Sequence, residues 1–111
     1  MKRILFALIG VFFSQSAFAL TASWQPNTEP DMAGYNVYVC KVKGCAVQKD
    51  ALQKVATVQH PTVKWVFPTD LIEGTLAVTA FDQAGNESGL SNQVPFDLQA
   101  PKAPAGVLVT K

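Results

Sequence analysis

The sequence is short of arginine, histidine and cysteine. Arg3 is the only arginine, His60 the only histidine, and two cysteines are present. After position 19 the chain carries seven lysines and eight acidic residues, a formal charge of −1. Nucleic-acid binding needs a basic face, so this balance excludes that class of function. The lysines are scattered singly, which also argues against an anionic membrane surface as partner.

No apolar run is long enough to span a membrane. The segment Ile4–Phe13 follows the basic Met1–Arg3 but stops at Ser14–Ser16, after about half of the ~20 apolar residues that a spanning helix needs. Ala17–Ala19 then has the small-x-small pattern of a cleavage site. We therefore predict a signal peptide over residues 1–19, a secreted or periplasmic bacterial protein, and no membrane insertion after cleavage.

Cys40 and Cys45 flank a four-residue turn that contains Gly44. An exported protein meets an oxidising compartment, and two cysteines across so short a turn can bridge, so we predict a disulfide. A metal site would need more ligands than these two thiols and His60, and the spacing is unusual for a redox centre.

Alternation of apolar and polar residues is the main structural signal. The alternation covers four segments: Leu20–Trp24, Tyr35–Val39, Val63–Phe67 and Leu76–Ala80. A further strand is predicted at Gln93–Leu98. Turn residues recur every eight to twelve positions and no run indicates a long helix, a pattern typical of an all-β sandwich with Trp24 and Trp65 in one core. Between the segments Tyr35–Val39 and Val63–Phe67, Lys49–Lys54 fits a helical turn and Val55–Val58 fits a strand.

Several motifs occur in the order found in one known family. They are Trp24-x-Pro, Glu29-Pro-Asp31-x-x-Gly34-Tyr35-x-Val37-Tyr38, Leu71-x-x-Gly74-Thr75 and Asp82-x-x-Gly85-Asn86-Glu87-Ser88. Together they resemble a bacterial fibronectin type III domain. The resemblance implies an immunoglobulin-like β-sandwich over residues 20–98, with residues 99–111 as a proline-containing linker and a C-terminal strand.

The family resemblance also implies a strand before Leu20, where nothing remains once residues 1–19 are removed. The segment after Pro104 resembles the first strand of such a domain, which makes it the candidate for the missing strand. The candidate donor residues are Val107, Leu108, Val109 and Thr110. Three arrangements stay open: docking on the same domain, an unpaired tail, or donation to a neighbouring molecule.

Two polar loops are the candidate binding surface: a first loop, Asn27–Ala33, and a second loop, Gln83–Ser88. Loops carry recognition in sandwich folds, and the resemblance implies that these two share a pole. Their candidate residues are Asn27, Glu29, Asp31, Asp82, Asn86 and Glu87. Oxygen ligands of this kind could instead hold calcium, or could simply bond backbone amides within the turns. We predict no metal and no cofactor.

Few residues lie in a sequence context typical of catalysis. No serine has a nucleophile-elbow context, and His60 lies beside Pro61 in a predicted solvated loop. We therefore expect no enzyme, but an exported binding, adhesion or scaffold module for a protein or an extracellular surface polymer. One alternative is a structural subunit that assembles head to tail with copies of itself through Val107–Thr110. Another is a carbohydrate-associated accessory module with Tyr38 and Phe81 as exposed aromatic residues.

Overall fold

The computed structural model describes residues 11–15 and 20–111, and within these ranges it contains seven strands and no helix. The strands are β1 Val11–Gln15, β2 Leu20–Trp24, β3 Met32–Cys40, β4 Lys54–Gln59, β5 Lys64–Val66, β6 Glu73–Asp82 and β7 Val94–Asp97. They form two antiparallel sheets, ordered β1-β2-β5 and β4-β3-β6-β7. The predicted all-β architecture is confirmed. No helix in the described ranges is long and apolar enough to cross a membrane.

The core lies where the inward faces of the two sheets meet. Strand β2 alternates buried and half-buried residues, so Leu20, Ala22 and Trp24 all point inward. Trp24 packs edge-on against Tyr35 of β3, with ring centroids 5.5 Å apart. Trp65 of β5, which stands opposite Ala22 of β2, is half-buried against the same core, as predicted from the sequence. This aromatic packing fills the space between the sheets.

A second, smaller apolar cluster covers the outer face of the four-stranded sheet. Tyr38 and Ala77 of that face pack against Val47, which lies in the segment between β3 and β4. The backbone amide of Val47 donates to the side chain of Gln93 at 2.9 Å, and the predicted disulfide between Cys40 and Cys45 closes the turn at the start of the segment. The sequence did not indicate that this segment folds back over the sheet.

The segment Lys49–Lys54, which fits a helical turn in the sequence, forms a single turn and not a longer helix, and in this turn the amide of Gln53 donates to the carbonyl of Asp50 at 3.1 Å. Asp50 caps this turn, since its Oδ1 accepts hydrogen bonds from the amides of Leu52 at 2.7 Å and Gln53 at 3.2 Å. The chain then enters β4, which extends the strand predicted for Val55–Val58 by one residue at each end.

The edge beside β2 is occupied in the full-length chain. Strand β1 pairs with β2 from Val11 opposite Trp24 to Gln15 opposite Leu20, and Val11 is only 5% exposed. Thus a segment within the predicted signal peptide fills the position that we predicted to be vacant, whereas residues 99–111 form no strand. The rest of that peptide, residues 1–10 and 16–19, lies outside the described residues. Strand donation by Val107–Thr110 concerns the chain without residues 1–19 and stays a prediction.

Candidate functional site

The two candidate loops lie side by side at the pole of the molecule where β2 and β6 end. The amide of Gln83 in the second loop donates a 2.9 Å hydrogen bond to the carbonyl of Asp31 in the first. The loops enclose an open cavity of about 220 Å³. All six predicted binding residues line it, together with four others: Met32, Ala80, Phe81 and Ser88. The structure therefore brings together two loops about fifty positions apart, and we call this surface the loop pole.

The first loop is held from below by Tyr35. The Tyr35 hydroxyl accepts a hydrogen bond from the amide of Asn27 at 3.0 Å and lies 3.1 Å from Nδ1 of His60. Burial raises the pKa of Tyr35, and the negative charge of Glu29 adds to this rise while the Asn27 amide opposes it. His60 is thus a half-buried partner of Tyr35, and the prediction of a solvated histidine is wrong.

The second loop is held by Asp82, which bonds the turn that follows it. Oδ1 accepts from the amides of Ala84 at 3.0 Å and Asn86 at 2.8 Å, and Oδ2 accepts from the side-chain amide of Asn86 at 3.0 Å. The hydrogen bonds from Asn86 lower the pKa of Asp82 below its ordinary value, because they stabilise the charged carboxylate. Asp82 and Asn86 therefore act within the turn, which is one of the alternatives that the sequence left open.

Glu87 points down onto the outer face of the four-stranded sheet. Its Oε2 accepts hydrogen bonds from Thr79 Oγ1 at 2.6 Å, from Asn36 Nδ2 at 3.1 Å and from the Tyr38 hydroxyl. Burial alone would raise the pKa of Glu87, but the bonds from Thr79, Tyr38 and Asn36, with the nearby charge of Lys49, outweigh it and lower the pKa. Glu87 is therefore a carboxylate that fixes its turn to the sheet.

Tyr38 is only 3% exposed, which corrects its interpretation as an exposed aromatic residue. Its ring belongs to the small outer cluster, and its hydroxyl is bonded to Glu87. Burial, followed by the bond to Glu87, raises the pKa of Tyr38 to about 12. Phe81 is half-buried in the wall of the loop-pole cavity. No face of the described chain therefore presents this pair of rings to a sugar.

Glu29 and Asp31 are the carboxylates that face solvent at the loop pole. Glu29 accepts one hydrogen bond, from Asn27 Nδ2 at 3.1 Å, and no lysine lines the cavity. Within the described residues no group of three or more histidine, cysteine, aspartate or glutamate side chains could hold a metal ion. Ser88, the one hydroxyl among the lining residues, is committed to the amide of Ala80 at 2.9 Å and the carbonyl of Gly89 at 2.9 Å. The loop pole can therefore act by contact and by hydrogen bonding through exposed carboxylate oxygens carried on a hydrogen-bonded backbone.

The other predicted site residues lie away from the loop pole. Cys40 lies at the opposite end of β3, paired with Thr75 near the start of β6, and its disulfide anchors the segment that carries Val47. The residues Val107, Leu108 and Val109 are 75%, 82% and 97% exposed. Thr110 is likewise exposed.

No protein-family model matches this chain, and no curated protein matches it. Five solved chains share its fold, and two of them are enzymes. One is the Clostridium perfringens spore cortex lytic enzyme SleM, at a TM-score of 0.57 and 21% identity over 81% of this chain. The other is the pectate lyase PelI from Erwinia chrysanthemi in complex with tetragalacturonic acid, at a TM-score of 0.57 and 15% identity over 80%. This chain spans 27% of each of those chains, and at these identities the similarity concerns the fold.

Proposed function

We propose that this protein is an exported, non-catalytic binding module of the fibronectin type III kind, which acts by contact through its loop pole. The proposal is supported by the motif order in the sequence and by the two antiparallel sheets, of whose seven strands six lie within residues 20–98. The Cys40–Cys45 disulfide supports an oxidising, non-cytoplasmic location. Its binding targets are a protein or a surface polymer outside the cytoplasm.

One observation carries the proposal: some polar residues of the loop pole hold the loops in place, whereas others are left exposed to solvent. Asp82 and Glu87 are used up in holding the second loop, and Tyr35 holds the first. Glu29 and Asp31 are left exposed on a backbone that these bonds fix. A loop backbone that is already held loses little conformational freedom on binding, so such a surface suits specific contact with a partner that offers cationic or hydrogen-bond-donating groups.

A carbohydrate-associated accessory role is the second candidate. It draws support from the two solved structures of similar fold, a spore cortex lytic enzyme and a pectate lyase bound to tetragalacturonic acid. It loses the support of Tyr38, which is buried. The same binding experiment separates the two candidates if purified polysaccharides are tested beside intact cells.

The test is binding of the chain from Leu20 to Lys111 to intact cells of the bacterium that produces it, and to purified envelope polysaccharides. The double variant Glu29→Gln with Asp31→Asn keeps the size of both side chains and removes both charges. Asp70→Asn is the matched control, since Asp70 is an exposed acid outside the loop pole, between β5 and β6. We expect saturable binding that the double variant weakens about tenfold or more and the control leaves unchanged.

Equal binding by the double variant and the original chain would refute the loop pole as the contact surface. Release of soluble sugars or peptides from any polymer tested would refute the non-catalytic assignment. Circular dichroism spectra of all variants serve as the folding control, because both substituted acids are exposed and their loss should leave the sheets intact.

A further inference from the structure

The free edge that β2 would have without β1, and the exposed segment 107–109, could pair as two neighbouring strands. The edge holds β1, which comes from within the predicted signal peptide, so cleavage after Ala19 would remove it. What would be left of the first sheet is β2 with the three-residue β5, and the inward side chains of Trp24 and Ala22 would lose their neighbour. A short two-stranded remnant with an open edge is a template for pairing.

We propose that Val107–Lys111 of a second copy takes the place of β1, so that chains lacking residues 1–19 assemble head to tail by strand donation. This inference goes beyond the proposed binding function and does not depend on the loop pole.

The register supports the proposed pairing. In the register of β1, Val107 stands opposite Trp24, Val109 opposite Ala22 and Lys111 opposite Leu20. The two valines then take core-facing positions, one of which Val11 fills at 5% exposure when β1 is present. Lys111 takes the last position of the same face, at the end of the strand, where β1 has the polar residue Gln15. Leu108 and Thr110 fall on the outward positions, beside Ser23 and Thr21. Valine is also a residue that favours strands.

Chain direction selects a second copy as the donor over the same molecule. Strand β1 runs antiparallel to β2, so it begins beside Trp24 and ends beside Leu20. The chain leaves β7 at the Leu20 end: Phe67 donates to the carbonyl of Leu20 at 2.9 Å, and its ring packs 4.8 Å from that of Phe96 in β7. The tail of the same molecule would have to run back along the whole sheet and then reverse.

A second copy stacked end to end meets no such difficulty. Its segment leaves at its own Leu20 end and arrives at the Trp24 end of the next molecule, already in the required direction. Residues 99–106 form the linker, and at most about 26 Å separates its ends when it is extended. Pro101 and Pro104 within it favour an extended chain. Because such a contact uses two different surfaces, it repeats along a line instead of closing into a dimer.

The first experiment measures the mass of the exported, purified chain in solution across a range of concentrations. We expect a chain that begins at Leu20 and forms species of two, three and more copies as its concentration rises. Val109→Lys should return it to a monomer, because a lysine would then face the core beside Ala22. Leu108→Lys is the matched control and should leave assembly intact, because position 108 faces outward. Both residues are more than 80% exposed in the structure, so neither substitution disturbs the fold of the donor molecule itself.

The second experiment traps the pairing. Cysteines introduced at Ser23 and Leu108, which would stand opposite each other, should yield a ladder of linked chains on a non-reducing gel. A monomer at every concentration, equal behaviour of the two lysine variants, or a bond formed only within single chains would each overturn the proposal. Retention of residues 11–15 in the exported chain would overturn it as well. The variant with Glu29→Gln and Asp31→Asn should still assemble, so failure of strand donation and failure of the loop pole are distinguishable.

Discussion

The hydroxyl of Tyr38 donates a hydrogen bond to Oε2 of Glu87, although the two residues are 49 positions apart in the chain. The same oxygen takes the hydroxyl of Thr79 and the amide of Asn36, and Asn36 in turn accepts from Thr57 at 2.8 Å. This network ties the second loop of the loop pole to β3, β4 and β6. A charged acceptor with several partly buried donors makes each of them costly to remove.

The first prediction concerns the stability supplied by this network. Tyr38→Phe removes one donor and should lower the free energy of unfolding by about 1 to 2 kcal/mol. Glu87→Ala leaves Tyr38, Thr79 and Asn36 without their acceptor and should cost more, about 3 kcal/mol. Urea unfolding followed by tryptophan fluorescence measures both. Glu29→Gln, an exposed change in the neighbouring loop, should stay within about 0.5 kcal/mol, and an equal loss there would show that the network has no special role.

The second prediction concerns alkaline pH. The folded-state pKa of Tyr38 is raised from 10.0 to about 12, so its contribution to stability is complete below pH 10 and disappears as the pH rises toward 12. Absorbance of tyrosinate should show Tyr38 titrating near pH 12, and Tyr38→Phe should remove its contribution, leaving that of Tyr35, whose pKa burial also raises. Titration of Tyr38 near pH 10 in the folded protein would contradict the burial of its hydroxyl.

The third prediction concerns acid pH and has the opposite sign. The pKa of Glu87 is lowered in the folded chain, so its contribution to stability is present above the ordinary glutamate range and is lost as the pH falls through the folded value. The free energy of unfolding should therefore fall below about pH 4.5. Glu87→Gln should flatten this part of the curve. The same slope in Glu87→Gln and in the original chain would place the acid sensitivity elsewhere.

The fourth prediction compares three glycines replaced by alanine. A Cβ at Gly74 would lie 2.1 Å from the carbonyl oxygen of Cys40, and its φ is +144°, so the backbone would have to shift; we expect a loss of more than about 3 kcal/mol. Gly85, with φ +90° and open space around it, should lose about 1 kcal/mol. Gly89 has open space as well and should change little.

Thermal unfolding of the three glycine variants should therefore rank them in that order. A Gly74→Ala variant as stable as Gly89→Ala would mean that β6 does not approach Cys40 as closely as the structure has it.

The fifth prediction concerns the disulfide. Replacing Cys40 and Cys45 by serine should lower the free energy of unfolding by about 2 kcal/mol, the chain-entropy value for so short a loop. It should also loosen the segment that carries Val47 over the outer cluster. Thiol titration of the protein purified without reductant, before and after reduction, together with hydrogen exchange at the Val47 amide, checks both effects. Two free thiols before reduction would show that the disulfide is absent.

Much of the architecture could be predicted from local patterns. Alternation along Leu20–Trp24 and Leu76–Ala80 marks which side chains face the core, because a strand turns successive residues to opposite sides. The same alternation places Tyr38 on the face away from Tyr35, but it cannot show whether that face is covered. Residues 41–53 and Gln93 cover it, and the sequence around Val47 has no periodicity that indicates this.

The all-β class, the turns between the core strands and the pairing of Cys40 with Cys45 could be read from the sequence, since each depends on residues close together in the chain. Contacts between distant segments were needed to place Glu87 against the sheet while Glu29 and Asp31 stay at the surface, and to place Val11–Gln15 at the edge of β2. The reason is physical: a carboxylate orients toward whichever donors distant strands bring within reach, and a sheet edge takes the most favourable of several competing segments.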